Sequence, residues 1–338
     1  MIAHGVEKAK SSVALNDLGN ERTLLSIVVP VYNEQNAIEP FIQAMDEMAE
    51  KLLPSVVTEV IFINDGSSDA TEISICRSTS RNMSVRIVNL SRNFGKEAAL
   101  SAGLEHAEGD IIIPMDVDLQ DDPDVIPLMI SKWRQGAQVV NARRGDRQND
   151  TWMKRTSAGA FYKVFNFLSD HPMPSNVGDF RLMDRQVVDV LRSLGENGRL
   201  NKALFSWVGF KTGEVVYRRQ SRSDGNSTFS YWRLWKLALD GIFSSSTRPL
   251  RVWMYVGSSL ALISMFYAVF TFTKVLVLGV DVPGYASTVI LILAFGGLNL
   301  FALGVIGEYV GRVLVEVRGR PLFIVSSMHS INPADHEE

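Results

Sequence analysis

Five aspartates fall within the ten residues MDVDLQDDPD, 115–124. Carboxylates this close repel one another and resist leaving water. A fold that gathers them needs either full hydration or a cation. The apolar run Ile111-Ile112-Ile113 just before them reads as a buried strand. Asp116-x-Asp118 therefore stands where a strand ends and the chain turns, so that both carboxylates, with Gln120 in support, can approach one hard cation. Mg2+ takes one or two protein carboxylates and fills its shell with phosphate oxygens and water. The pair thus implies a diphosphate ligand rather than a sealed structural ion; the competing reading is a solvated acidic turn. Asp121, Asp122 and Asp124 belong to that plainer class, at a helix start where negative charge meets the positive end of the dipole.

Three more positions could carry chemistry. Asp65 in NDGSS follows a second apolar run, where its carboxylate could accept hydrogen bonds from a base or ribose, or merely cap a turn. Pro30 ends a strand without donating a hydrogen bond and leaves a flat surface near Tyr32. Asp179 in VGDFRLMDR sits between apolar residues beside Arg181, as a structural ion pair or as a site residue. Other motifs are missing. No G-x-G-x-x-G follows the first strand, and Leu90 occupies the place of the first P-loop glycine before Gly95-Lys96. A calcium loop starting at Asp116 would need glycine and glutamate where Asp121 and Pro127 stand. The histidines have no metal-site spacing, and no Ser-His-Asp set is evident.

The elements that must position these residues follow from periodicity. LLSIVVPVYNE gives a strand from Leu24 to Val29, stopped by Pro30. Helical spacing through Ile38, Phe41, Ile42, Met45, Met48, Ala49 and Leu52 predicts a helix. EVIFIND is a second strand, followed by a helix with Ser68 or Asp69 as N-cap. VRIVNLS, DIIIPMD and AQVVNARR are further strands; GKEAALSAGLEHA and DVIPLMISKWRQG are helices between them. Alternation of apolar strands with helices means βαβ crossovers and a mainly parallel, Rossmann-like sheet covered on both faces. Ligands of such sheets sit beyond the carboxyl ends of the strands, where Asn33-Glu34, Asp65–Ser68 and Asp116–Asp118 all fall.

Charge and hydropathy separate the rest of the 338-residue chain. Lys and Arg number 34 against 37 Asp and Glu, so no global basic field exists for nucleic acid. A single cysteine, Cys76, excludes an internal disulfide framework and fits a reducing compartment. No charge appears from Val252 to Phe272 or from Val282 to Gly307. Each run is long enough to cross a hydrocarbon core of about 30 Å. Arg248 and Arg251 flank the first run, Arg312, Arg318 and Arg320 the second, and the link around Gly279 to Tyr285 carries only Asp281. The positive-inside rule then sets both flanks in the cytoplasm. Residues 1–22, polar and without an apolar signal core, read as a mobile arm. Residues 23–228 form the α/β domain, 229–250 an interfacial amphipathic helix region rich in Trp and basic side chains, 251–315 two transmembrane helices, and 316–338 a cytoplasmic tail. Gly296-Gly297 and Gly304 would allow close helix packing and a homo-oligomer.

SIVVPVYNE, INDGSSDAT, LSRNFGKEAALSAGLEHAEGD, MDVDLQDDP and GDFRLMDR, in this order, resemble the GT-A glycosyltransferases of family 2. With SYWRLWKLALDGIFSSSTRPLR and the two apolar runs, the chain looks like the polyprenyl-phosphate glycosyltransferases, over roughly residues 24–320. These include the bactoprenol glucosyltransferases and the dolichyl-phosphate mannose synthases. The resemblance implies a nucleotide-diphosphate sugar donor, a polyprenyl phosphate acceptor at the bilayer, and Mg2+ or Mn2+ as cofactor. It implies that Pro30, Tyr32, Glu34 and Asp65 line the nucleoside pocket. Asp116, Asp118 and Gln120 would hold the metal, with Asp116, Asp118 and Asp179 as the catalytic set. Arg143, Arg147, Lys154 and Arg222 would meet the lipid phosphate. UDP-glucose is the expected donor, GDP-mannose and UDP-aminosugars the alternatives. GNSTFS, Gly225 to Ser230, departs from the G-E-S-K-[YW]-S that relatives often carry, with Thr228 in place of the lysine. The Q-x-x-R-W segment usual in processive polysaccharide synthases does not occur. A membrane-anchored protein that only binds nucleotide sugars is the non-enzymatic alternative.

Overall fold

A computed structural model describes residues 22–145, 177–195, 204–205, 207–217, 248–278 and 284–331. Strands β1 (Thr23–Val31), β2 (Val56–Asn64), β3 (Met83–Leu90) and β4 (Ile111–Pro114) alternate with helices α1 (Ile38–Leu52), α2 (Thr71–Arg77) and α3 (Lys96–His106). After α4 (Ile126–Arg134) come β5 (Val139–Arg144), β6 (Val177–Asp184), α5 (Arg185–Ser193) and β7 (Thr212–Tyr217). Two long helices, α6 (Arg248–Leu278) and α7 (Tyr285–Val317), precede a last strand, β8 (Val325–Ile331). The eight strands make one sheet in the order β7-β5-β6-β4-β1-β2-β3-β8. β4, β1, β2 and β3 run parallel, as do β5 and β7. β6 and β8 run antiparallel to their neighbours.

Burial follows the expected periodicities. All seven apolar positions foreseen on α1 are buried, against Val60, Phe62 and their neighbours on one face of the sheet. α3 and α5 cover the other face, over Val28, Ile61, Ile63 and Ile112. α3 is buried nearly all round, and its contact with the sheet is close: a Cβ on Gly103 would lie 2.0 Å from Cγ1 of Val28. Side-chain room there is set by β1, the strand whose end carries Tyr32 and Glu34.

One boundary differs from expectation. β1 does not stop at Pro30 but runs through it to Val31, pairing Pro30 with Ile63 of β2. The Val28 carbonyl accepts from Met115 N at 2.9 Å, so Val28 faces the β4 side, and two residues on Pro30 faces that side again. β4 pairs with β1 only as far as Val28, where the N–H that Pro30 lacks would next have bonded, so the proline ends that ladder while β1 runs on against β2. The segment expected as a tail supplies β8, and Ser327 Oγ accepts from Asn89 Nδ2 at 3.0 Å across the β3–β8 pair. The arm of residues 1–21 and most of 229–250 lie outside the described residues. Among the described residues, no helix is long and apolar enough to cross a membrane.

Gly103→Ala separates two opposed effects. Alanine gains about 1 kcal/mol in a helix, whereas forcing a methyl into a packed core costs about 1–3 kcal/mol. Val28 is stiff at χ1 and fully buried, so the expected outcome is a lower melting temperature for the purified protein. An unchanged or higher value would show that α3 can lift from the sheet.

Candidate active site

Loops at the carboxyl ends of β1 to β4 are bound to one another before any ligand is considered. Asn33, in the left-handed region at φ 55°, donates its N–H to Ser67 Oγ at 3.0 Å and accepts from Ser68 N at 2.8 Å. Glu34 N donates to Thr71 Oγ1 at 2.9 Å. Asp65, buried at the end of β2, accepts from Phe94 N at 2.7 Å and from Gly95 N at 2.9 Å. Burial raises its pKa, against the pull of those two N–H groups and of Arg92. Gly66 has φ 67°, and a Cβ there would lie 2.6 Å from the carbonyl carbon of Arg92, so only glycine lets the β2 and β3 loops touch. Asp65 thus fixes the turn that leads into α3 as well as facing the site.

The aspartate cluster divides into different jobs. Leu119, between Asp118 and Gln120, has φ 51°, a conformation that non-glycine residues seldom adopt outside functional turns. That turn folds Gln120 back so that its N–H and its side-chain amide both donate to Asp118, at 3.2 and 2.5 Å. Gln120 is buried and is not among the residues lining the cavity described below, so it holds Asp118 from behind instead of facing the ligand space. Asp121 is not solvated, contrary to expectation: it is buried and accepts a hydrogen bond from the Tyr217 hydroxyl on β7. Asp122 accepts from Asp124 N at 3.0 Å and caps a short turn. Asp124 pairs with Lys51 at 2.7 Å on the exposed surface.

Lys96, first residue of α3, crosses the carboxyl edge of the sheet. Its ammonium lies 2.6 Å from Asp116 Oδ1 and 3.2 Å from Asp179 Oδ2. Burial disfavours that charge, but the two carboxylates outweigh it and hold the Lys96 pKa above the ordinary lysine range. Asp179, on β6, therefore has Lys96 as its ion partner. Its neighbour Arg181 is buried, donates to the Gly178 carbonyl at 2.7 Å and stacks 4.2 Å over the Phe205 ring. Burial pushes the Arg181 guanidinium down to about 10, against the opposing charge of Asp179. Sequence reasoning passed over Lys96 because Gly95-Lys96 was weighed only as an incomplete P-loop. The signal was a cation at a helix N-terminus, where the dipole disfavours it.

Pro30, Tyr32, Glu34, Asp65, Asp116 and Asp118 line a single cavity of about 300 Å3, with Lys96 among them. Tyr32 stands half exposed at its wall. Asp179 reaches this group through Lys96. Arg143, on β5, pairs with Glu214 of β7 at 3.6 Å. Arg147, Lys154, Arg222 and Thr228 lie outside the described residues. A larger hollow, of about 410 Å3, lies between α3, α5 and the chain leaving α7. None of the strand-end residues lines it, so the smaller cavity is where chemistry can occur. Among the described residues, no three His, Cys, Asp or Glu side chains form a metal cage. Two carboxylates suffice for Mg2+ or Mn2+ when phosphate oxygens complete the shell. Asp116 is already paired with one cation, the ammonium of Lys96.

A mainly parallel sheet with Asp-x-Asp at the end of a central strand and a nucleoside-sized cavity beside it defines a GT-A glycosyltransferase. The description "Glycosyl transferase family 2" matches residues 26–192, and "GtrB C-terminal hairpin" matches residues 248–313. The SfII prophage-derived bactoprenol glucosyl transferase of Shigella flexneri is 47% identical over 309 residues, 91% of this chain and 99% of that one. An uncharacterized glycosyltransferase of Synechocystis is 48% identical over 90% of this chain and 95% of its own. Among solved structures, glucosyl-3-phosphoglycerate synthase from Mycobacterium tuberculosis in complex with Mn2+ and UDP-glucose is similar over 67% of this chain and 79% of that one. The identity there is 18% and the TM-score 0.42, too remote a likeness to argue from. The chain belongs to glycosyl transferase family 2, among the polyprenyl-phosphate glycosyltransferases with a C-terminal hairpin.

Outer partners that orient a metal ligand typically contribute 10- to 100-fold in affinity. Gln120→Leu is accordingly expected to weaken Mn2+ binding in the presence of UDP by about that factor, with the melting temperature little changed. Unaltered affinity by titration calorimetry would mean that Asp118 needs no such support.

Proposed function

We propose that this protein transfers glucose, with inversion, from UDP-glucose to a membrane polyprenyl phosphate at the cytoplasmic face. One observation carries the reading: Pro30, Tyr32, Glu34 and Asp65, expected at the nucleoside, share one cavity with the carboxylates Asp116 and Asp118. The names of the relatives at 47% identity, bactoprenol glucosyl transferases, support both the sugar and the class of acceptor.

In this reading an acceptor phosphate oxygen attacks the anomeric carbon as the bond from that carbon to the nucleoside diphosphate breaks. The phosphate is already ionised near pH 7, so no strong general base is required. Asp116 and Asp118 would hold Mg2+ or Mn2+, which when bound supplies charge to balance the leaving diphosphate. Tyr32 and Pro30 offer the base a flat wall, and Asp65 keeps the β3–α3 turn in place. Asp179 orients sugar or acceptor, and Arg143, Arg147, Lys154 and Arg222 provide cations for the lipid phosphate. Positioning then accounts for much of the rate.

The acceptor calls for a bilayer, and the helical hairpin suits one. α6 and α7 have 31 and 33 residues, or about 46 and 50 Å at 1.5 Å per residue. In sequence, the first contains the uncharged run 252–272, and the second all but the first three residues of the uncharged run 282–307. Phe266, Phe270, Leu276, Leu300 and Leu303 are more than half exposed on them, an apolar surface larger than water tolerates. Trp253 packs on Phe301 at 4.7 Å and holds the two helices together. The arginines that flank the hairpin support a cytoplasmic side for the catalytic domain.

Membranes carrying the protein, given labelled UDP-glucose, Mg2+ and polyprenyl phosphate, are expected to yield lipid-extractable label. Asp118→Asn should reduce that yield by more than the roughly 100-fold upper range for outer ligand partners. An unchanged yield at saturating metal would remove the metal assignment. Absence of label from the wild type with every common donor would favour a protein that only binds nucleotide sugars.

A further inference from the structure

Lys96 has no part in the reading above, yet its ammonium sits on the same Asp116 oxygen that a metal would need. Its geometry is built in. Lys96 opens α3 directly after Gly95, which adopts φ 96°. The backbone on either side of that turn is held by Asp65, through Phe94 N and Gly95 N. From this anchored point the side chain spans the cavity to Asp116 on the β4 end and Asp179 on β6. A cation at a helix N-terminus works against the dipole. Such a local conflict persists where a site requires it.

We propose that Lys96 is an internal cation for the unloaded site, and that metal enters by exchange with it. In the unloaded protein the ammonium neutralises Asp116 and Asp179, which come from neighbouring strands and would otherwise repel. A divalent ion bonds its oxygen ligands at 2.0–2.1 Å in the case of Mg2+. At that distance on Asp116 Oδ1 it would stand against an ammonium 2.6 Å from the same atom, and two cations so close repel strongly. Loading therefore moves the ammonium off Asp116, while Asp179 remains as its partner. The exchange sets a threshold: metal alone binds weakly, and metal accompanied by the donor's diphosphate, which adds oxygen ligands and negative charge, binds well. The inference rests on Asp116 and Asp118 as the metal ligands.

Its test reads metal binding and not turnover. Free Mn2+ is measured by electron paramagnetic resonance against the purified full-length protein without nucleotide, for the wild type, Lys96→Met, Lys96→Arg and Asp118→Asn. Lys96→Met, similar in length but uncharged, is expected to bind Mn2+ about tenfold more tightly than the wild type. Lys96→Arg, which keeps the charge, should stay near the wild-type value. Equal or weaker binding by Lys96→Met, with Asp118→Asn still impaired, would overturn the exchange and leave the metal site standing. Unchanged binding by Asp118→Asn would overturn both. Matching melting temperatures confirm that the variants compared are folded.

Discussion

Mutual repulsion among carboxylates at one edge of a sheet is the constraint around which this protein is arranged. Asp65, Asp116 and Asp118 come to the carboxyl ends of strands, because a parallel sheet delivers its loops there, and Asp179 meets them from the amino end of the antiparallel β6. Each is compensated differently. Asp65 takes two backbone N–H groups, Asp118 takes both donors of Gln120, and Asp116 and Asp179 share the ammonium of Lys96. The compensation of Asp65 and Asp118 belongs to the fold. That of Asp116 is a single side chain, and it is the one a substrate-borne cation can replace.

The scaffold makes this edge rigid. The β1 and β2 loops are cross-bonded through Asn33, Ser67 and Ser68, and the β2 and β3 loops meet at Gly66. Small residues let α3 press onto β1 and β2, so the first residue of α3 is held with little play. Beyond the hairpin, β8 returns to pair with β3, tying the chain after α7 to the far edge of the catalytic sheet. The two long helices are thus bracketed by the same domain, which suits an enzyme whose donor is dissolved and whose acceptor lies in lipid.

Much of this was legible in the sequence where the physics is local. The seven buried positions of α1 follow from a 3.6-residue period, and the strands β1 to β5 follow from apolar runs bounded by turns. The gathering of Glu34, Asp65, Asp116 and Asp118 followed from the rule that ligands lie at strand ends, and the place of Pro30 and Tyr32 beside them from the family resemblance. What escaped was non-local. That β1 continues through Pro30 depends on its pairing with β2, and the burial of Asp121 depends on Tyr217, ninety-six residues away. The directions of β6 and β8 depend on which strands each one pairs with. The role of Gln120 turned on one left-handed residue, Leu119, and that of Lys96 on two aspartates brought together from separate strands.

The central claim is that Asp116 and Asp118 hold a divalent ion against the diphosphate of the donor. Anomalous scattering from crystals of the purified protein grown with Mn2+ and UDP tests it most directly. The account predicts one manganese peak in contact with both carboxylates and with the diphosphate, the nucleoside lying along Tyr32 and the Lys96 ammonium off Asp116. UDP bound in the cavity with Lys96 still seated on Asp116 and no manganese at either carboxylate would contradict it.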